Sequence, residues 1–131
     1  MMARLTVATL GVSDMKVSIA FYEALGFMRK MRATGEAVAF FETGGPVLAL
    51  YPWCDLAVDA GLPELPRPRA FRGTTLAWNC RSRDEVDAVL KFAVECGASL
   101  LKAAHETAYG GYSGILLIPT VILGRRWRRR E

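Results

Sequence analysis

The chain uses one structural pattern twice, and this duplication constrains the fold more than any other feature. In SDMKVSIAFYEALG, residues 13 to 26, Ser13 or Asp14 can cap a helix, and Val17, Phe21, Ala24 and Leu25 recur at helical spacing. Gly26 stands where a left-handed residue ends the helix. In SRDEVDAVLKFAVECGA, residues 82 to 98, Ser82 and Glu85 have capping-box spacing, and Val86, Val89, Leu90, Ala93 and Val94 form the apolar face. Gly97 closes this second helix, 71 residues after Gly26. Cys96 falls at helical spacing and is expected to be a buried thiol.

A strand-like run precedes each helix: LTVATLGV from Leu5 to Val12, and TTLAWNC from Thr74 to Cys80. Strands also follow each helix. After the first they are expected at about Phe27 to Ala33, Ala37 to Thr43 and Val47 to Pro52, with turns at TGE and GGP. After the second they are expected at Ser99 to Ala104 and from Gly111 onward. The prediction is an α+β fold of two βαβββ modules in a single domain, module 1 over about residues 4 to 53 and module 2 over about 74 to 124. Residues 54 to 73, which contain Pro63, Pro66 and Pro68, read as a crossover loop, and residues 125 to 131 as a basic tail. At 131 residues there is room for one core and not for two ordinary domains.

Charge bears on partners only through its location. The net charge is +4, and the tail from Arg125 to Glu131, with five Arg and one Glu, carries all of it. The body is neutral and has no basic stripe with interleaved aromatics, so neither nucleic acid nor a membrane is expected as a partner. Ile115 to Leu123 is nine uncharged residues interrupted by Pro119, well short of the ~20 needed to span a bilayer. Cys54, Cys80 and Cys96 show no CxxC spacing, and the N-terminus has no signal-peptide core, which suggests a reduced, cytoplasmic protein.

Strand alternation separates two faces. Leu10, Val12, Leu48, Leu50, Leu76, Trp78 and Cys80 are expected to face the helices. Val7, Thr9, Gly11, Ala49, Tyr51, Thr75, Ala77 and Asn79 face the other way, on a surface small and polar enough to line a cavity. Trp53 reads as a loop anchor.

The double βαβββ pattern carrying TLGVSDMKVSIAFYEALGF, FFETGGPVLALYPW and AYGGYSG resembles the vicinal oxygen chelate superfamily, the glyoxalase and bleomycin-resistance group, over about residues 4 to 114. The resemblance implies a curved mixed sheet with a concave pocket, and by family habit a homodimer. Enzymatic members hold a divalent metal through a His on the first strand, a carboxylate on the fourth, a His or Gln on the fifth and a Glu on the eighth. The corresponding positions here are Val7, Ala49, Thr75 and Arg125. Two alkyl groups, a hydroxyl and a cation do not hold a divalent ion, and His105 is a lone histidine, expected on a loop or strand end facing solvent. No metal and no other cofactor is therefore expected. What remains is an apolar, aromatic-lined cavity with Thr9, Phe41, Tyr51, Thr75, Asn79, Tyr109 and Tyr112 as its candidate residues. Two roles fit them: contact with a ligand, or packing of the sheet face or a dimer interface. The expected function is metal-independent binding of a small hydrophobic or aromatic molecule, with enzymatic activity not called for. The alternatives are a lyase, isomerase or dioxygenase of the same superfamily, or a damaged, inactive member.

The last alternative comes from the end of the chain. Relatives continue after the GGYSG element in the manner of GYFADPDGHPWE, and here the sequence is GILLIPTVILGR, Gly114 to Arg125. Deleting one base from the glycine codon of a plausible coding sequence for the former yields the latter at all twelve positions. The segment after about Gly114 therefore reads as an out-of-frame translation of a family ending. Val121 then stands where a turn needs a residue tolerant of positive φ, so the last hairpin is expected to be strained or rebuilt.

Overall fold

The computed structural model describes residues 2–62, 73–108, 110–117 and, as paired backbone, 124–129. Contacts divide the chain into two units, Met1–Arg67 and Pro68–Glu131, and each holds one βαβββ module.

In the first unit, β1 (Val7–Val12) leads into α1 (Met15–Leu25), followed by β2 (Met28–Lys30), β3 (Ala39–Glu42) and β4 (Val47–Pro52). The sheet order is β1-β4-β3-β2; β1 and β4 run parallel, and the other neighbours are antiparallel. Asp14 caps α1, its carboxylate accepting from the Val17 N–H at 3.1 Å. Gly26, at φ 105°, lets the chain reverse so that Phe27 N–H reaches Tyr22 O at 3.1 Å. β2 is shorter than its β-propensity suggests: Met31 takes a left-handed φ of 52°, a 3-10 turn follows at Arg32–Thr34, and the Thr34 hydroxyl donates to Met31 O at 3.1 Å.

The buried stripe of α1 is Met15, Ser18, Ile19, Phe21, Tyr22 and Leu25. Two expectations fail here, because Val17 is 45% exposed and Ala24 is exposed. The helix turns Ser18 and Tyr22, four residues apart, toward the sheet, and a count of aliphatic residues alone passes over both. Tyr22 packs on Phe21, Phe27 and Phe41 with ring centroids 5.2, 6.1 and 5.6 Å away. With Leu10, Val12, Leu48 and Leu50 these rings make the first core. Each large apolar side chain buried in this way contributes roughly 1.5–3 kcal/mol.

The crossover expectation also changes. Residues 53 to 59, read as a loop anchor at Trp53 and the start of the crossover loop, form a helix, α2 (Trp53–Asp59), which packs on β1 and β4. Pro52 precedes it at φ −55°, and the first turn carries Asp55, which suits a helix N-terminus. Pro63, Pro66 and Pro68 lie outside the described residues.

In the second unit the elements are β5 (Thr75–Cys80), α3 (Arg83–Glu95), β6 (Ser99–Glu106), β7 (Tyr112–Leu117) and β8 (Gly124–Arg129), with sheet order β5-β8-β7-β6. Ser82 accepts from the Glu85 N–H at 3.1 Å, as expected, but the reciprocal bond goes one residue further back, from the Arg81 N–H to Glu85 Oε2 at 2.7 Å. Val86, Leu90 and Ala93 are buried, whereas Val94 is 44% exposed and Cys96 only half-buried. Trp78 is half-buried and Cys80 fully buried. Two irregularities interrupt the β6–β7 ladder, between Leu100 and Lys102 and between Lys102 and His105. The eighth strand falls within GRRWRR, which reads as tail in the sequence. Strand pairing uses the backbone, so a charged run can complete a ladder with β5 and β7. The turn expected over Ile118 to Val121 lies outside the described residues.

Candidate functional site

The cross-strand registers place each candidate residue on a face. In the first sheet, Phe41 pairs with Leu48 and Ala39 with Leu50, and Phe41 touches Tyr22 of α1, so these residues mark the α1 face. The opposite, open face carries Thr9, Ala49 and Phe40 in one direct row: Thr9 pairs with Ala49, and Ala49 with Phe40. Lys30 continues the row on β2, and Val7 and Val47 form the next. Thr9 is exposed and Tyr51 half-buried, as a surface open to a ligand requires.

One end of this open face is closed. Gly11 pairs with Tyr51, and a Cβ built on Gly11 would stand 2.7 Å from Trp53 Cε3 and 3.3 Å from Leu56 Cδ2. Since Gly11 alternates with the core residues Leu10 and Val12, α2 lies on the face opposite α1. Trp53 is thus the first residue of a covering helix and not a loop anchor. The signal available in the sequence was Gly11 itself: a glycine inside a strand often marks close approach by another element.

Phe41 must be withdrawn from the candidate set, because it is fully buried against Tyr22 on the core side. The aromatic on the open face is Phe40, one residue earlier and half-buried. A one-residue displacement changes face because side chains alternate along a strand.

In the second sheet, the position of a Cβ on Gly114 is 2.6 Å from Leu90 Cδ1, which sets the α3 face of β7. Tyr112 is two residues away and shares that face: its hydroxyl donates to Asp87 Oδ1 on α3 at 2.7 Å. The Arg83 guanidinium lies over its ring, 5.1 Å from the centroid, and reaches Glu106 Oε1 at 2.6 Å. Tyr112 therefore ties α3 to the β6–β7 hairpin and does not line the open face, a second correction. The bond to Asp87 raises the phenol above its usual pKa, since ionisation would place two anions side by side; desolvation acts in the same direction. Cys80, on the α3 face of β5, is also raised, first by burial and then by the nearby Glu85. Thr75 and Asn79 are exposed on the open face with Ala77. Tyr109 lies outside the described residues.

The donor set for a metal does not fit. Val7 pairs with Val47, Ala49 with Thr9, and Thr75 with Gly124, so no oxygen-rich or imidazole cluster surrounds these positions. Position 125 pairs with Leu76. Among the described residues no group of three or more His, Cys, Asp or Glu side chains could hold a metal ion. His105 sits at the strand end expected of it, next to last on β6 and paired with Ser113, but half-buried and not fully open to solvent. Among the described residues no helix is long and apolar enough to cross a membrane.

The architecture, a βαβββ module repeated in one chain with the face opposite each module's helix carrying the candidate residues, is that of the glyoxalase fold. The sequence matches the Glyoxalase/Bleomycin resistance protein/Dioxygenase superfamily over residues 4–120, and the chain belongs to that family. Among solved structures, a glyoxalase-related enzyme from Fulvimarina pelagi is similar with 28% identity and a TM-score of 0.85, over 98% of this chain and 89% of that one. A glyoxalase/bleomycin resistance protein/dioxygenase family enzyme from Burkholderia phytofirmans PsJN aligns at 22% identity and a TM-score of 0.86, covering 97% and 98%. A lactoylglutathione lyase from Agrobacterium tumefaciens aligns at 20% identity and a TM-score of 0.70, covering 98% and 94%. At such identities the likeness is one of fold. No curated protein matches the chain in sequence.

Proposed function

We propose that the chain is a metal-independent small-molecule-binding protein that takes a small hydrophobic or aromatic ligand on the open faces of its sheets. The observation that carries this reading is the row Thr9, Ala49 and Phe40, ended by Tyr51 and by Trp53 over Gly11. Such a surface offers aromatic contact from the half-buried Phe40 and Tyr51, the exposed Thr9 hydroxyl to orient a polar group, Ala49 at only 2% exposure between them, and Lys30 as its charged member, with no carboxylate or imidazole in that row to ligate a cation. Ligand sites combine a largely apolar lining with a few placed polar groups, which is this composition. A thermal-shift screen with apolar and aromatic compounds tests it. A true ligand at a hundred times its Kd should stabilise the fold by about 2.7 kcal/mol. A screen in which no apolar or aromatic compound raises the melting temperature contradicts the proposal. A reducing, cytoplasmic compartment belongs to the same proposal, on an odd set of three cysteines without CxxC spacing. A homodimer is part of the same proposal, and light scattering at two concentrations tests it.

A second reading concerns the origin of the C-terminus. We propose that the segment after about Gly114 is a shifted reading frame of an ordinary family ending. The codon-level agreement over Gly114 to Arg125 supports this. The nucleotide sequence around codon 114, compared with related loci, decides it: a frame continuous with the relatives, with no lost base, rules it out.

A further inference from the structure

The row of Thr9, Ala49 and Phe40 ends on the edge strand at Lys30, which pairs with Phe40 and is exposed. Among the described residues Lys30 is the only cation on the open face of the first sheet. Arg29, its neighbour on β2, alternates to the other face: it pairs with Phe41, and its guanidinium donates to Gly35 O. Arg32 lies beyond the strand and donates to Glu23 Oε2 at 2.9 Å. β2 ends directly after Lys30, where Met31 turns to φ 52°. The backbone that carries Lys30 is thus fixed by the ladder with β3 and by the Arg29 and Thr34 bonds across the turn.

Glu42 sets where the ammonium stands. It is two residues from Phe40 on β3 and so shares the open face, and its Oε2 lies 3.4 Å from Lys30 Nζ. This diagonal contact holds the ammonium toward β3, on the side of the half-buried Phe40, and not outward from the sheet edge. The pair is loose, because its side chains are 50% and 58% exposed, where an ion pair contributes little. An ammonium has three N–H donors, so one carboxylate contact leaves others for a second acceptor. We infer that Lys30 is a specificity-determining residue of this face, its ammonium pairing with the carboxylate of an aromatic acid whose ring lies against Phe40. The inference rests on the small-molecule-binding reading and adds to it the class of ligand, an aromatic molecule with its anionic group at the β2 end of the row.

The test uses the full-length protein with benzoate and benzamide, which share a shape and differ in charge. At low ionic strength benzoate should bind roughly two- to fivefold more tightly than benzamide, and the ratio should fall as salt is added. Lys30→Gln should bring the ratio close to one by weakening benzoate alone, and Lys30→Arg should preserve it. Glu42→Gln, which removes the competing carboxylate, should tighten benzoate and leave benzamide unchanged. Both positions are exposed, so the unfolding midpoints of these variants should stay close to that of the native sequence. A lysine that served only to keep the sheet edge from pairing with another strand would leave both affinities unmoved. Equal binding of the two compounds, or a benzoate preference that survives in Lys30→Gln, overturns the inference. So does exclusion of benzoate while neutral aromatic compounds bind, which leaves the broader binding proposal standing. If no apolar or aromatic compound binds, both fall together.

Discussion

Trp53 lies directly against Gly11, with Cε3 at 2.7 Å and its own Cα at 3.5 Å from where a Cβ would stand. The Trp53 Cα is at ordinary contact distance, but the ring is too close and Leu56 Cδ2 stands at 3.3 Å, so a side chain at position 11 must displace the indole and crowd Leu56. Gly11→Val should destabilise the protein by about 1–3 kcal/mol, the usual cost of overpacking, and shift the Trp53 emission toward that of exposed indole. Urea denaturation followed by fluorescence reads both. An unchanged midpoint with unchanged emission would take α2 off this face.

Adjacent phenylalanines should behave in opposite ways. Phe41 is fully buried against Tyr22, so Phe41→Ala should cost about 3–5 kcal/mol. Phe40→Ala, on the open face, should cost much less stability and instead weaken ligand binding. Denaturation midpoints and ligand titrations on the two variants separate core from site; equal losses of stability contradict the register.

Tyr112 should ionise above the ordinary tyrosine range. Its hydroxyl donates to Asp87, so the folded state favours the protonated phenol and its pKa lies above the usual value of about 10. The stability it contributes is complete below the ordinary tyrosine range and is lost as pH rises through the raised value. Tyrosinate absorbance, compared between the native sequence and Tyr112→Phe, should show that the substitution removes a transition lying above the ordinary tyrosine range. Asp87→Asn should bring that titration down.

Thiol reactivity should follow burial. Cys54 is exposed and Cys80 buried, with its pKa raised by desolvation and by Glu85. Maleimide labelling in the native state, located by peptide mass, should therefore modify Cys54 well before Cys80. Reaction of Cys80 at the rate of Cys54 would mean that the α3 face of β5 opens readily.

Much of the fold is legible in the sequence because caps, alternation and glycine positions act locally. Asp14, Gly26, Ser82 and β4 stand where those signals put them. Some departures concern element type, as with α2 in place of a loop and β8 in place of a tail, and the others concern which face a residue takes. Val17 and Ala24 read as core and Ser18 and Tyr22 as polar by type, although the helix buries Ser18 and Tyr22. Phe41 was set one residue off on β3, where a shift of one reverses the face. Tyr112 reads as a site residue until α3 supplies Asp87, a contact between positions 25 apart that periodicity does not encode. His105 meets Ser113 only through the β6–β7 pairing.

The central claim is that a small apolar ligand binds here without a metal. Calorimetric titration of one such ligand into the full-length protein, once after exhaustive treatment with EDTA and once with added zinc, nickel or manganese, tests it most directly. The account predicts the same affinity in every case and no stoichiometric metal in the purified protein. Binding that disappears with EDTA and returns with one of these ions would contradict it.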